Sequence, residues 1–277
     1  MLPMKNSAAI VVQSRSGLDS ADLRRVIETT EPRLRQMAGA SILITGATGW
    51  FGTWLLDVLR AADDALGLDL RIAAVSRDPQ RFLARYTGFA ADPRIEWVQS
   101  DVRRLEPLGA QFTHVIHAAT DSSVKAGSES PLHLFETIVD GTRCAIAAAG
   151  SRCKSFLLLS SGAIYGAGRV DAAKFTESDK GGPDPSSGKS AYAEGKRAAE
   201  QLCAIAAGNG LPVRIARCFA FVGPHMPFDK HFAIGNFIAD AMDGRQVLVK
   251  SDGRPLRSYL YMSDLVRALI AILIDGA

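Results

Sequence analysis

Cysteine, histidine and net charge are all scarce in this chain of 277 residues, and each scarcity excludes a class of function. Four cysteines, Cys144, Cys153, Cys203 and Cys218, fall inside apolar or helical stretches at spacings that match no zinc or redox motif, so they read as buried reduced thiols. Five histidines are dispersed, and His114 and His117, three apart on an expected strand, face opposite sides, so no metal site is expected. Lysine and arginine number 32 against 29 acidic residues, a net charge of +3, with no basic run of the kind that tracks a nucleic-acid backbone. Long apolar runs are also missing. The opening stretch holds only Ala8–Val12, too short for a signal-peptide core or a membrane span. No nucleic acid, no membrane and a cytoplasmic location are the resulting expectations.

What is present is 47% hydrophobic content, enough for one large core or a core with a small lobe. The most informative stretch is Thr45–Gly52, TGATGWFG, directly after the apolar run Ser41-Ile42-Leu43-Ile44. Gly46 allows a tight turn, Gly49 lets backbone N–H groups approach a pyrophosphate, and Gly52 lets a helix pack closely on a strand. A strand-to-helix turn can be glycine-rich for other reasons, so the loop gains weight from a second constellation. Ser160-Ser161 closes another apolar run, and Tyr192-Ala-Glu-Gly-Lys196 opens a helical pattern downstream, placing tyrosine and lysine on one helix face.

From Ser41 onward strands and helices alternate: strands at 41–45, 71–75, 95–98, 113–117, 154–160 and 213–217, and helices at 51–62, 79–86, 131–149 and 189–207. That alternation predicts an α/β, doubly wound parallel sheet of Rossmann type with strand order 3-2-1-4-5-6 and a cofactor across its carboxyl ends. Residues 1–40 form an N-terminal extension with a helix over 18–37 that Ser20 can cap; 41–218 form the dinucleotide-binding domain. Residues 219–277 read as a partial substrate lobe: a Gly/Pro turn at 222–227, a helix near 232–242, a strand at Gln246–Lys250, a turn at 252–255 and a final helix over 263–274.

With these residues placed, the chain resembles an extended short-chain dehydrogenase/reductase of the NAD-dependent epimerase/dehydratase type, which acts on nucleotide-linked sugars. The likeness rests on TGATGWFG (45–52), Val115-Ile-His-Ala-Ala119, Ser160-Ser-Gly-Ala-Ile-Tyr-Gly166, Tyr192-x-x-x-Lys196, Gly223-Pro224 and Arg257-Ser-Tyr-Leu-Tyr-Met-Ser-Asp264. The resemblance implies that Tyr192 is the acid/base, that Lys196 lowers the phenol's pKa and reaches the nicotinamide ribose, and that Ser161 orients the substrate oxygen. It places NAD or NADP against Gly46, Thr48, Gly49, Trp50, Phe51, Gly52, Ser76, Arg77, Asp101, Val102, Ala118, Ala119, Thr120, Ser160, Tyr192 and Lys196. Ser76 stands where NAD enzymes carry a carboxylate for the ribose 2′-hydroxyl, and Arg77 beside it leans toward the 2′-phosphate of NADP. His117 reads as a packed residue.

Arg257 matches the family's diphosphate-binding arginine, with Arg254 and Lys250 as further candidates. Family members usually continue beyond the last helix here, so the lobe is expected to be incomplete. The acidic pair that sugar 4,6-dehydratases carry after the serine is replaced by Gly162 and Ala163, and two asparagines of the family pattern are replaced by Ile138 and Ala220. The expectation is therefore an epimerase or oxidoreductase on a nucleotide sugar, in polysaccharide or glycoconjugate synthesis. The alternatives are a 4,6-dehydratase, as the family name suggests, and a non-catalytic NAD(P)-binding sensor or scaffold. The family's mode of dimerisation implies a homodimer through the helices at 131–149 and 189–207.

Overall fold

The computed structural model describes residues 10–109, 111–120, 130–166, 174–228, 233–249 and 257–276. Six parallel strands, β1 (Ser41–Thr45), β2 (Arg71–Ser76), β3 (Ile95–Gln99), β4 (His114–His117), β5 (Ser155–Ser161) and β6 (Val213–Cys218), form one sheet in the order β3-β2-β1-β4-β5-β6. The expected doubly wound order is thus observed, with the chain reversing direction of travel between β1 and β4.

Alternation along the strands divides the interior into two layers. Ile42, Ile44, Ile72, Ala74, Ile116, Leu157 and Leu159 face α1 (Ser20–Gln36), α2 (Trp50–Leu66) and a last helix, α7 (Met262–Asp275). Leu43, Ala73, Val75, Val115, Phe156 and Leu158 face α4 (Pro131–Ala149) and α5 (Ala191–Gly208). A short helix, α3 (Pro79–Arg85), follows β2 with Asp78 as its cap. In α2 the entire stretch from Gly52 to Ala62 is buried, because α1 and the segment before it, which bonds to Asp57 and Arg60, cover the side that would otherwise meet solvent. The cap of α1 is Asp19, whose side chain accepts from Ala21 N, one residue before the expected Ser20.

The C-terminal region departs from expectation in two ways. Helix α7, which the sequence groups with the lobe, packs Met262, Leu265, Val266, Leu269, Ile270 and Leu273 into the main core, and Ser155 Oγ donates to its Leu273 carbonyl at 2.6 Å. The expected strand at 246–250 is not formed over residues 246–249, and Lys250 lies outside the described residues. A strand needs a neighbour to take its N–H and C=O groups, and the pairing is made elsewhere: β7 (Ala220–Val222) pairs in parallel with β8 (Tyr259–Tyr261). Between them lies α6 (Ala233–Met242).

Candidate active site

The carboxyl ends of β1, β2, β4 and β5 converge at the start of α2, and the glycine turn is shaped by contact. Gly46 has φ +70°, and a Cβ there would lie 2.8 Å from the backbone of Ala118 and Ala119. A Cβ on Gly52 would fall 2.4 Å from the Ala47 and Gly46 carbonyl oxygens, and Gly49 caps α2 with no side-chain hydrogen bond to its first N–H groups. An open helix N-terminus with no acidic residue in its first turn suits an anionic pyrophosphate. The residues present therefore fit a dinucleotide. The side chains of Trp50 and Phe51 are engaged elsewhere: the Trp50 indole donates to the Pro224 carbonyl at 2.8 Å, and the Phe51 ring meets Phe221 edge-on at 5.1 Å.

The other residues expected at the site are placed as follows. Thr48 Oγ1 and Ser76 Oγ are 2.9 Å apart, and Asp78 N donates to Ser76 Oγ. Asp78 itself caps α3 by accepting from Arg81 N, which commits the neighbouring carboxylate to the helix. Arg77 is exposed beside them. Asp101 accepts from Arg103 Nη2 at 2.6 Å, and the guanidinium's hydrogen bonds hold its carboxyl down to about 2, against the desolvation of burial. Val102 packs on Gly141 of α4.

Behind Ala118 and Ala119, a chain of single-proton donors fixes the loop. Ala119 N donates to Thr45 Oγ1, which lies 2.7 Å from His117 Nδ1; His117 Nε2 is 3.1 Å from Thr142 Oγ1, whose own proton goes to the Ile138 carbonyl. Only one arrangement satisfies every partner: neutral His117 carries its proton on Nε2 and accepts from Thr45. Burial, with the nearby Lys196 charge, drives the imidazole down to about 3, in keeping with that neutral role. His117 is the packed residue the sequence suggested.

Tyr192 and Lys196 sit at the start of α5 against the end of β5. Lys196 is buried, and its Nζ donates to Thr120 Oγ1 and to the Leu159 carbonyl, both at 2.7 Å. Ser161 accepts from Ala163 N and lies beside the Tyr192 phenol. One expectation is corrected here. Burial raises the Tyr192 phenol above its usual value, with only the Ser161 hydrogen bond acting to lower it, while Lys196 is itself brought down to about 8 by burial. Desolvation disfavours the charged form of each group. Ser160, expected beside the cofactor, instead points to α5 and donates to Glu200 Oε1 at 2.5 Å.

Glu200 is a residue the sequence reading missed, although it follows Tyr192 and Lys196 at the next four-residue step on the same helix face. It pairs with Arg217 Nη2 at 2.8 Å, and Arg217 Nη1 donates to the Tyr165 hydroxyl at 2.8 Å, tying α5 to β6 and to the turn after β5. Gly162 opens that turn, and a Cβ there would lie 2.4 Å from the Phe219 ring. Arg257 is exposed just before β8, whereas Arg254 and Lys250 lie outside the described residues. Among the described residues no cluster of histidine, cysteine and carboxylate could hold a metal, and no helix is long and apolar enough to cross a membrane.

A doubly wound parallel sheet with a glycine turn at its reversal point and a Ser–Tyr–Lys set across the cleft defines a Rossmann-type dinucleotide-binding protein. The family model described as "NAD dependent epimerase/dehydratase family" matches residues 42–276, and the chain belongs to that family. Among curated relatives, UDP-glucuronic acid decarboxylase 1 of Arabidopsis thaliana is 31% identical over 84% of this chain and 51% of its own length, and UDP-glucuronic acid decarboxylase 6 of the same plant is 32% identical over 84% and 65%. The chain thus spans about half to two-thirds of those relatives. Among solved structures, the dTDP-glucose 4,6-dehydratase DesIV of Streptomyces venezuelae with NAD and TYD bound superposes with a TM-score of 0.69 at 25% identity, over 85% of this chain and 72% of the other. UDP-glucuronic acid 4-epimerase from Bacillus cereus with NAD gives 0.69 at 20% identity, over 84% and 76%, a likeness of fold.

Proposed function

We propose that this protein is an NAD(P)-using enzyme that oxidises and reduces the C4 carbinol of a nucleotide-linked sugar. The observation that carries this reading is the convergence of Ser161, Tyr192 and Lys196 on one end of the sheet, across from a glycine turn too tight for any side chain. When bound, the nicotinamide supplies the hydride acceptor and donor. Gly46, Gly49 and the first N–H groups of α2 would hold the pyrophosphate, and Lys196 would face the ribose.

Tyr192 is the group that takes the hydroxyl proton as the carbinol is oxidised and returns it on reduction. Ser161 holds the substrate oxygen against it. Lys196 anchors the helix that carries the phenol and, in its ammonium form, favours phenolate in the transition state.

Position 163 bears on the fate of the oxidised sugar. Ala163 carries no acid, and the Phe219 ring fills the space beside Gly162, so water elimination across C5 and C6 has no side chain to assist it at these two positions. Two outcomes need no further acid or base there. Reduction from the opposite face inverts C4. If the sugar is a uronic acid, the C4 ketone is β to the C6 carboxylate; the C5–C6 bond breaks, carbon dioxide leaves, and the electron pair enters an enolate that Tyr192 and Ser161 stabilise before C5 is protonated. The named decarboxylase relatives favour testing the second outcome first. Incubation with UDP-glucuronic acid and NAD should yield carbon dioxide or a C4-inverted uronic acid. A keto-sugar that has lost water would contradict the reading.

The same proposal places the protein in the cytoplasm, in keeping with four free cysteines, and makes it a homodimer. Helices α4 and α5 lie side by side on one face of the sheet and leave Leu132 and Ile205 exposed. A light-scattering mass of two chains is expected, and a mass of one contradicts the dimer.

A further inference from the structure

The region N-terminal to the family match is built into the candidate site. Residues 10–19 run along α2 and end at the cap of α1, held by a carboxylate with no exposure to solvent: Asp57 accepts from Ser14 Oγ at 2.5 Å, Arg15 N at 2.9 Å, Ser16 N at 3.1 Å and Ser16 Oγ at 2.7 Å. Arg60, equally buried, lies 3.6 Å from Asp57 and donates to the Gln13 carbonyl. Such a carboxylate is stable only while these donors remain in place.

Two side chains of this region reach the lobe, Ser16 at the turn after β7 and Asp22 at the end of β8. Ser16 Oγ is 3.3 Å from His225 Nε2, and the other ring nitrogen is 3.2 Å from the Tyr86 hydroxyl. Because Ser16 has one proton and gives it to Asp57, its oxygen accepts from His225 Nε2–H, and His225 Nδ1 accepts from Tyr86. His225 is held this way with φ +66°, an unfavourable backbone for a residue with a side chain, so its contacts must maintain it. Its neighbour Pro224 accepts from both the Trp50 and Trp54 indoles. Farther along, Asp22 of α1 accepts from the Tyr261 hydroxyl at 2.9 Å, at the end of β8.

We propose that residues 10–22 form a clamp that fixes the β7–β8 pair, and with it Arg257, relative to the glycine turn, with Ser16 and Asp22 as its positioning residues. The clamp's ligand-binding consequence rests on the nucleotide-sugar reading; its mechanical consequence does not. Ser16 and Asp22 bond to Asp57, to the turn after β7 and to the end of β8, and neither bonds to a residue placed against the cofactor. Its loss should therefore weaken sugar-nucleotide binding and spare the dinucleotide.

The test uses the full chain as wild type, Ser16→Ala, Asp22→Ala, the double variant, and Ser16→Thr, which restores the hydroxyl. Hydrogen exchange read by mass spectrometry should accelerate about tenfold over 220–226 and 259–261 in the double variant, with 41–45 and 155–161 unchanged and Ser16→Thr near wild type. KM for UDP-glucuronic acid should rise about tenfold, with kcat and NAD affinity within about twofold. Unchanged exchange over 220–226 and 259–261 overturns the clamp, and faster exchange there with an unchanged KM overturns its positioning role. If wild type neither binds nor turns over any UDP-sugar, the nucleotide-sugar reading fails, and the exchange data still decide the clamp.

Discussion

Lys196 Nζ donates to the Leu159 carbonyl at 2.7 Å, so the helix that presents Tyr192 is fastened to the strand that ends in Ser161. The same ammonium holds Thr120 Oγ1. A lysine expected to lower a neighbouring phenol's pKa and to reach the nicotinamide ribose therefore also joins three segments of the site. Replacing it with methionine removes both roles at once. Turnover should fall by at least about 100-fold, the order of a lost acid–base assembly, while far-UV circular dichroism remains that of the wild type.

The pH dependence of turnover is set by the same residue. Burial brings Lys196 down to about 8, opposed by the charge of Glu200; burial pushes the neighbouring Cys218 and Cys203 thiols up to about 11 and 12, so at pH 8 they are neutral and lend no support. His117, neutral, packs nearby on β4. As pH rises through about 8 the ammonium is lost, so kcat should show an alkaline limb there. Glu200→Gln removes the charge that supports protonation and should move that limb to lower pH, which a kcat–pH profile in both proteins will measure.

Stability should respond to pH in two windows. His117 and His114 are lowered to about 3 and about 4 from 6.5, chiefly by burial. Between those values and 6.5 the unfolded chain binds more protons, so stability falls as pH drops, by up to about 1.4 kcal/mol per pH unit for each group. Lys196, lowered from 10.5 to about 8, acts with the same sign in an alkaline window: stability rises as pH climbs from about 8 to 10.5. Urea midpoints from pH 4 to 7 check the acid side, where His117→Asn should flatten the slope.

The glycine turn predicts a separation of cofactor binding from the rest of the site. Gly46→Ala would place a methyl 2.8 Å from the Ala118 and Ala119 backbone at φ +70°. The expected result is loss of nicotinamide binding together with a destabilisation of about 1–3 kcal/mol. Calorimetric titration with NAD, beside a thermal melt, reads both effects.

Cofactor choice turns on Ser76 and Arg77. The family is NAD dependent by description; here the Ser76 hydroxyl is bonded to Thr48 and Asp78 N, and the Asp78 carboxylate caps α3. We propose that Arg77 is the feature that would admit NADP. Arg77→Ala should shift the ratio of the two dissociation constants toward NAD by about tenfold, the scale of one charge-assisted phosphate contact.

Most of the sheet is legible in the sequence because its strands are buried on both faces and read as continuous apolar runs, as in Phe156–Leu159. The small lobe is less so. Val247–Val249 looks like a strand by composition, yet pairing depends on a partner, and the pair forms between Ala220–Val222 and Tyr259–Tyr261, almost 40 residues apart. Helix α7 has the apolar stripe of a core helix, but its stripe says nothing about which core it joins. The candidate set Ser161, Tyr192 and Lys196 is visible as a spacing, whereas its electrostatics are not: that burial raises the phenol and lowers the ammonium follows only from how deeply both lie. The Asp57–Ser16–His225 path joins residues more than 200 positions apart and has no local signature.

Proton transfer at the sugar carbinol is assigned to the Tyr192 phenol, and every step of the proposed chemistry depends on it. Steady-state turnover of UDP-glucuronic acid with NAD, compared between wild type and Tyr192→Phe, tests that assignment. A fall in kcat of about 10²- to 10⁴-fold with NAD binding retained is expected; turnover by the phenylalanine variant equal to that of the wild type would contradict it.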